Sequence, residues 1–296
     1  MIKILFMIIS LVFTGYYLYS NENLIVSLNQ ISKINLVILL SLNILNLMIL
    51  TFIQQKTLKP YLEKISILLI FRLISVGQFS NIIFPSKVGM WIPGLFLKAN
   101  YHLKYKLFSY GVIFQSFIAI LVMLAVSGTT YFLAHQYYLL TVIYLFLIYL
   151  SLYLIFKLDT IPSKIGKLRL SANELKLLFN KNTFFSIFIA HIFILIFYFL
   201  RIYFALIFMG IDINFITCLN ACFVTLIVSS IPFLPGAIGV REVTVASSLI
   251  ISGFDPGQIT TALLIERMAQ LSIYTPISIF SYFYDSKIIH RRTITE

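Results

Sequence analysis

Two short segments of the chain place proline, glycine and a cation together inside apolar sequence. They are Pro85-Ser86-Lys87-Val88-Gly89 and Pro235-Gly236-Ala237-Ile238-Gly239-Val240-Arg241-Glu242, about 150 residues apart. A helix that starts just after such a turn offers free N–H groups and the positive end of its dipole, which suits an anion such as a phosphate. In the second segment Pro232 and Pro235 end the incoming limb, and Gly236 and Gly239 let the backbone turn. Arg241 stands one turn into the outgoing limb, where its planar fork can hold a phosphate, and Glu242 can orient that arginine or take up a proton. Lys87, Gly89 and the N–H groups from Val88 onward form a weaker equivalent, with Gln78 and Asn81 as polar neighbours. A helix cap is the alternative role for the tip residues, and helix packing for the Ser, Asn and Gln side chains.

Charges inside apolar stretches need a reason, because each costs about 2.5–3.5 kcal/mol at the centre of a spanning helix. Besides Arg241 and Glu242 they are Arg72, Arg201, Glu266 and Arg267. Arg201 and Glu266 each lie seven or eight residues from the outer end of a predicted helix. That is a depth of roughly 10–12 Å at 1.5 Å per residue. The two can pair between helices, either as a structural ion pair or as part of a substrate contact. Gln115-Ser116 follows the first motif at about the interval at which Glu266-Arg267 follows the second.

Other chemistries have little support. His102, His135 and His290 sit in loops without partners at metal-ligand spacing, and His191 is alone in an apolar helix. Cys218 and Cys222, four apart, share one helix face as small hydrophobes. No phosphate loop, dinucleotide fingerprint or nucleophile elbow occurs, so neither a metal, a cofactor nor an enzymatic activity is expected.

The elements that must carry these residues follow from composition. The chain of 296 residues is 60% hydrophobic and 11% charged, with a mean hydropathy of +0.99. A soluble domain cannot hide so much apolar surface, whereas lipid-facing helices have no need to. The net charge of +12 would suggest nucleic acid in a soluble protein. In a membrane protein it reads instead as Lys and Arg gathered in cytoplasmic loops.

Loops with Lys56, Lys59 and Lys64, with Lys98, Lys104 and Lys106, around Lys164 to Lys181, and the tail with Arg291 and Arg292 are predicted inside. Those around Glu22, Asp212 and Asp255 are predicted outside. Threading apolar runs through these loops gives spans at 4–20, 34–53, 109–134, 138–156, 183–209 and 259–284. Residues 65–97 leave and re-enter one side, and their second limb is shorter than the roughly 20 residues a span needs. A re-entrant hairpin satisfies both constraints, and 216–252 forms a second hairpin or two short spans. The expected fold is an all-α polytopic membrane protein, a single domain over 1–296. It has about six spanning helices plus two re-entrant helical hairpins, in an inverted repeat of halves 34–134 and 183–284. Ordinary helices kinked by Pro and Gly are the alternative.

At these motifs the chain resembles the flippase-like membrane region of the lysylphosphatidylglycerol synthase family. The residues that carry the resemblance are Leu234-Pro235-Gly236-Ala237-Ile238-Gly239-Val240-Arg241-Glu242, then Glu266-Arg267, and in the first half Asn81, Pro85 and Gly89. The family often has an acidic residue after the first hairpin's glycine, where Met90 stands here. It also often has a Glu-Arg pair in the following helix, where Gln115-Ser116 stands. The soluble aminoacyl-transferase domain of the full-length synthases is not expected, since the chain ends soon after its last helix.

The resemblance implies translocation of an anionic phospholipid or a polyprenyl-phosphate-linked sugar for cell-envelope biogenesis. The expected place is a prokaryotic cytoplasmic membrane, with both termini inside. A carrier of a small soluble anion, and a non-catalytic subunit of a polysaccharide assembly system, are the rival readings.

Overall fold

The computed structural model of the chain describes residues 32–62, 65–83, 89–134, 136–144, 180–230 and 240–295. No strand occurs among them. The helices are α1 (Lys33–Leu58), α2 (Ile67–Ile83), α3 (Ile92–Tyr101), α4 (Tyr105–Ala134), α5 (Lys181–Phe208), α6 (Phe215–Ser230), α7 (Val240–Ile251) and α8 (Pro256–Thr295). The expected span 4–20, most of 138–156, and the tips with Pro85, Lys87, Pro235, Gly236 and Gly239 lie outside the described residues.

Local chemistry sets the helix ends. Ser32 Oγ accepts the Asn35 amide, Ser66 Oγ that of Leu69, Asn180 Oδ1 that of Asn182, Asn214 Oδ1 that of Ile216, and Asp255 Oδ1 that of Gln258. Each oxygen satisfies an amide that the first turn leaves without an intrahelical partner. α5 and α7 end alike. Gly210 and Gly253 take positive φ, and the residues after them, Ile211 and Phe254, donate back to Leu206 and Leu249. That closure needs a residue without a Cβ at the left-handed position.

Among the described residues, three helices are long and apolar enough to cross a bilayer: Lys33–Leu58, Tyr105–Val126 and Lys181–Phe208. α2, α3, α6 and α7 have 17, 10, 16 and 12 residues. At 1.5 Å per residue none of these four reaches the roughly 30 Å of the hydrocarbon core. α8 runs for 40 residues but carries Glu266, Arg267 and an internal Pro276. Large apolar side chains such as Ile34, Val37, Phe193 and Phe280 remain exposed. That suits lipid as the surrounding solvent.

The chain divides into two compact units. One includes the described residues of 32–48, 71–93 and 197–295. Its core joins Leu39, Tyr198, Ile202, Cys218, Cys222, Val245, Leu249 and Leu263, and both cysteines are buried in it as free thiols. α6 packs against α7, and α7 against α8. A smaller cluster holds Leu47, Ile82 and Tyr274.

The other unit includes the described residues of 49–70 and 94–196. Phe184 is fully buried there, stacked on Phe188 and edge-on to Phe114. Gly94 lies against the Phe108 ring and Gly111 against the Thr57 methyl.

Hydroxyls inside the helices mostly turn back on their own backbone, as Ser75 does to Phe71, Ser116 to Val112 and Thr225 to Ala221. His191 Nδ1 lies 2.9 Å from the Ile187 carbonyl in the same way. In hydrocarbon no water is available, so the nearest carbonyl is the partner that costs least.

Candidate functional site

A polar chain crosses four helices of the first unit. On α5 Arg201 points inward, its residue 4% exposed. Its Nη1 donates to Asn43 Oδ1 of α1 at 2.5 Å, and its Nε lies 3.5 Å from Glu266 Oε1 of α8. Asn43 is held in turn by a bond from Nδ2 to the Leu39 carbonyl. Glu266 is fully buried and also accepts from Gln270 Nε2, one turn along the same helix. Gln270 Oε1 accepts from Arg267 Nη1 at 3.1 Å, and Arg267 Nε meets Glu242 Oε1 of α7 at 2.6 Å.

The chain therefore holds two cations, two anions and two amides. Its charges cancel, which is the condition for keeping ions in a low-dielectric interior. The two pairs differ in setting. The Arg201 and Glu266 side chains are 5% and 1% exposed, those of Arg267 and Glu242 15% and 20%. Gln270 fixes the order of the links, because its amide donates to one pair and accepts from the other.

The structure thus brings Arg201, Glu266, Arg267 and Glu242 into one network. The Glu242 carboxylate is engaged by Arg267 through Oε1. Arg241 lies in the first turn of α7, and its side chain is outside the described residues. Asn43 and Gln270 are the members that sequence reasoning missed. A signal was present: Asn43 interrupts an apolar helix, and Gln270 follows Glu266 at the spacing that puts both on one face.

Near the first motif, Gly89 packs on α2. A Cβ built on Gly77 would stand 2.7 Å from the Gly89 carbonyl oxygen, and one on Gly89 would run into the Gly77 carbonyl. The chain at Gly89 has therefore folded back beside α2. The same imaginary Cβ on Gly89 would lie 2.7 Å from Asn81 Oδ1, which places Asn81 at this contact. Arg72, on α2, is buried.

In the second unit Gln115 of α4 donates to Gln54 Oε1 at 3.1 Å and to Thr57 Oγ1 at 2.7 Å, both on α1. This bridge is neutral throughout. With Gln where a carboxylate would stand, a facing Arg would be an unpaired buried cation. Both sides of the bridge lack charge together. Ser116 takes no part, since its hydroxyl is spent on Val112.

No curated protein and no solved structure significantly matches the chain. The family model for the lysylphosphatidylglycerol synthase TM region does match, over residues 1–278, a range that takes in all but part of the last described helix. With its apolar helices and that match, the chain belongs to the lysylphosphatidylglycerol synthase TM region family and is an integral membrane protein, all-helical among the described residues.

Proposed function

We propose that the protein is a non-enzymatic carrier that moves an anionic phospholipid or a lipid-linked saccharide between leaflets. The observation that carries this reading is the buried Arg201–Glu266 pair, tied to four helices by Asn43, Gln270, Arg267 and Glu242. An ion pair adds little to stability in such a place, because desolvation offsets the attraction. Ionisable groups retained inside a membrane domain more often serve a translocation path.

The reading includes two re-entrant hairpins in an inverted repeat, filling one membrane domain. Two observations support that arrangement. The described limbs of both segments are too short to span. And the first and last helices of each proposed half meet through a polar bridge at corresponding places. Gln54 and Arg201 fall within two residues of one another when counted from residues 34 and 183, and so do Gln115 and Glu266.

The head group would enter at the hairpin tips, met by Lys87, Arg241 and the amides near Gly89, Pro235, Gly236 and Gly239, and pass on to Arg201, with its tails left in lipid. The setting is the cytoplasmic membrane of a prokaryote, with both termini inside.

Reconstitution of the full chain in liposomes tests the reading, with fluorescent phospholipids and a short-chain polyprenyl-phosphate sugar as probes. At least one probe should change leaflet faster than in protein-free vesicles. Exchange at the protein-free rate for every probe would refute lipid translocation. Uptake of soluble phosphate in its place would favour the small-anion carrier.

A further inference from the structure

The two ion pairs of the network are unequal, and the inequality points to how movement is driven. Arg267 and Glu242 touch at 2.6 Å, whereas Arg201 and Glu266 are 3.5 Å apart through a single Nε–Oε1 approach. Arg201 already has a neutral acceptor, Asn43 Oδ1. If Glu266 lost its charge, Arg201 would keep its position and have its cation available to another anion. Resting on the lipid-carrier reading above, we propose that Glu266 takes up a proton as Arg201 exchanges its carboxylate partner for the lipid phosphate, so that one proton travels with each anionic lipid.

The charges balance at every stage. Unloaded, the site holds a guanidinium and a carboxylate. Loaded, it holds a guanidinium, a singly charged phosphate and a neutral carboxyl. The proton comes from water on the side where the lipid enters, binds a carboxylate oxygen, and leaves to water on the other side. Neither state leaves an uncompensated charge inside the membrane, which is the costly arrangement. Glu266 meets Arg201 from α5 and Gln270 from its own helix. Asn43 of α1 reaches it through Arg201, and Arg267 with Glu242 of α7 through Gln270.

A route for the proton is built into α8. Glu266, Gln270, Tyr274 and Ser278 recur every four residues on one helix face, over roughly 18 Å of axis. All four are buried. Ser278 Oγ, and Asn46 Oδ1 one turn beyond Asn43 on α1, have no hydrogen-bond partner among the described residues. Polar atoms so placed are normally satisfied by water, and water is what a proton needs in order to travel.

The test uses the full chain in phosphatidylcholine–phosphatidylglycerol vesicles with tracer fluorescent phosphatidylglycerol and an entrapped pH dye. One-to-one electroneutral coupling requires that one pH unit, acid outside, enrich the tracer about tenfold in the inner leaflet, because the lipid ratio must match the proton ratio. Glu266→Gln should abolish the enrichment, leaving a ratio of one, while Ser75→Ala, whose hydroxyl bonds its own helix outside the network, keeps it. Should Glu266→Gln fail to fold, lipid-dependent acidification of the wild-type lumen, one proton per lipid, supplies the evidence instead. Rapid exchange with equal leaflets under the gradient overturns the coupling and leaves the carrier reading standing. Enrichment that survives Glu266→Gln overturns the role of Glu266. Absence of exchange with or without a gradient removes the carrier reading and the coupling together.

Discussion

Arg201 on α5 and Glu266 on α8 meet in the interior of one compact unit, Nε to Oε1 at 3.5 Å, although 65 residues separate them in the chain. Neither residue is paired only with the other. Asn43 holds the arginine and Gln270 holds the glutamate. A pair embedded in this way behaves as part of a network, and removing one member strands the rest.

That property sets the first prediction. Arg201→Ala removes the guanidinium that faces the buried Glu266 carboxylate, and should cost about 3–5 kcal/mol of stability. Glu266→Ala should cost a similar amount. The double variant should cost clearly less than the sum, since no buried charge is then uncompensated. Thermal unfolding of the four proteins in one detergent checks this, and additive losses would show that the pair contributes independently.

The fold-back at Gly89 gives the second. Its approach to Gly77 leaves no room for a methyl group on either residue. Gly89→Ala or Gly77→Ala should destabilise by about 1–3 kcal/mol through overpacking. Ser75→Ala, on the same helix, should be close to neutral. Among the described residues its hydroxyl is bonded only to its own helix, at Phe71. Relative melting temperatures decide the matter.

The neutral bridge of the second unit gives the third. Gln115→Leu removes the donor to Gln54 and Thr57 and should cost about 1–3 kcal/mol. Gln115→Glu alone should be worse, since it sets a carboxylate against the Gln54 oxygen. Adding Gln54→Arg should recover part of the loss by rebuilding the charged bridge of the other half. If the double variant melts no higher than Gln115→Glu, the two bridges are not equivalent.

The fourth concerns topology. On a background with Cys218→Ala and Cys222→Ala, single cysteines at Lys87 and Gly236 should react slowly with impermeant maleimides from both sides. Re-entrant tips that approach mid-membrane have that property. Fast labelling of the two positions from opposite sides would replace the hairpins with full spans. The native cysteines, 0% and 1% exposed, should themselves stay unlabelled until the protein unfolds.

Much of this was legible in the residues. The helical membrane class followed from composition and from apolar runs near bilayer length, because a helix closes its backbone hydrogen bonds within one such run. The family followed from the motif around Arg241 and Glu242, and the shortness of α3 and α7 followed from their loops. Helix ends at Ser32, Ser66, Asn214 and Asp255 are decided locally, by one side-chain oxygen each.

Partnership is another matter. Sequence allowed Arg201 and Glu266 to pair, from their similar depth, but marked Glu242 and Arg267 only as costly charges, which says that a partner exists and not which one. Only the packing of α7 on α8 could give Glu242 to Arg267. Only the approach of α1 to α5 could turn Asn43, an ordinary amide by type, into the acceptor that holds Arg201. Such contacts join residues up to 158 positions apart, and they depend on which helix faces which. That is settled by burial summed over the whole molecule and is not written at any single position.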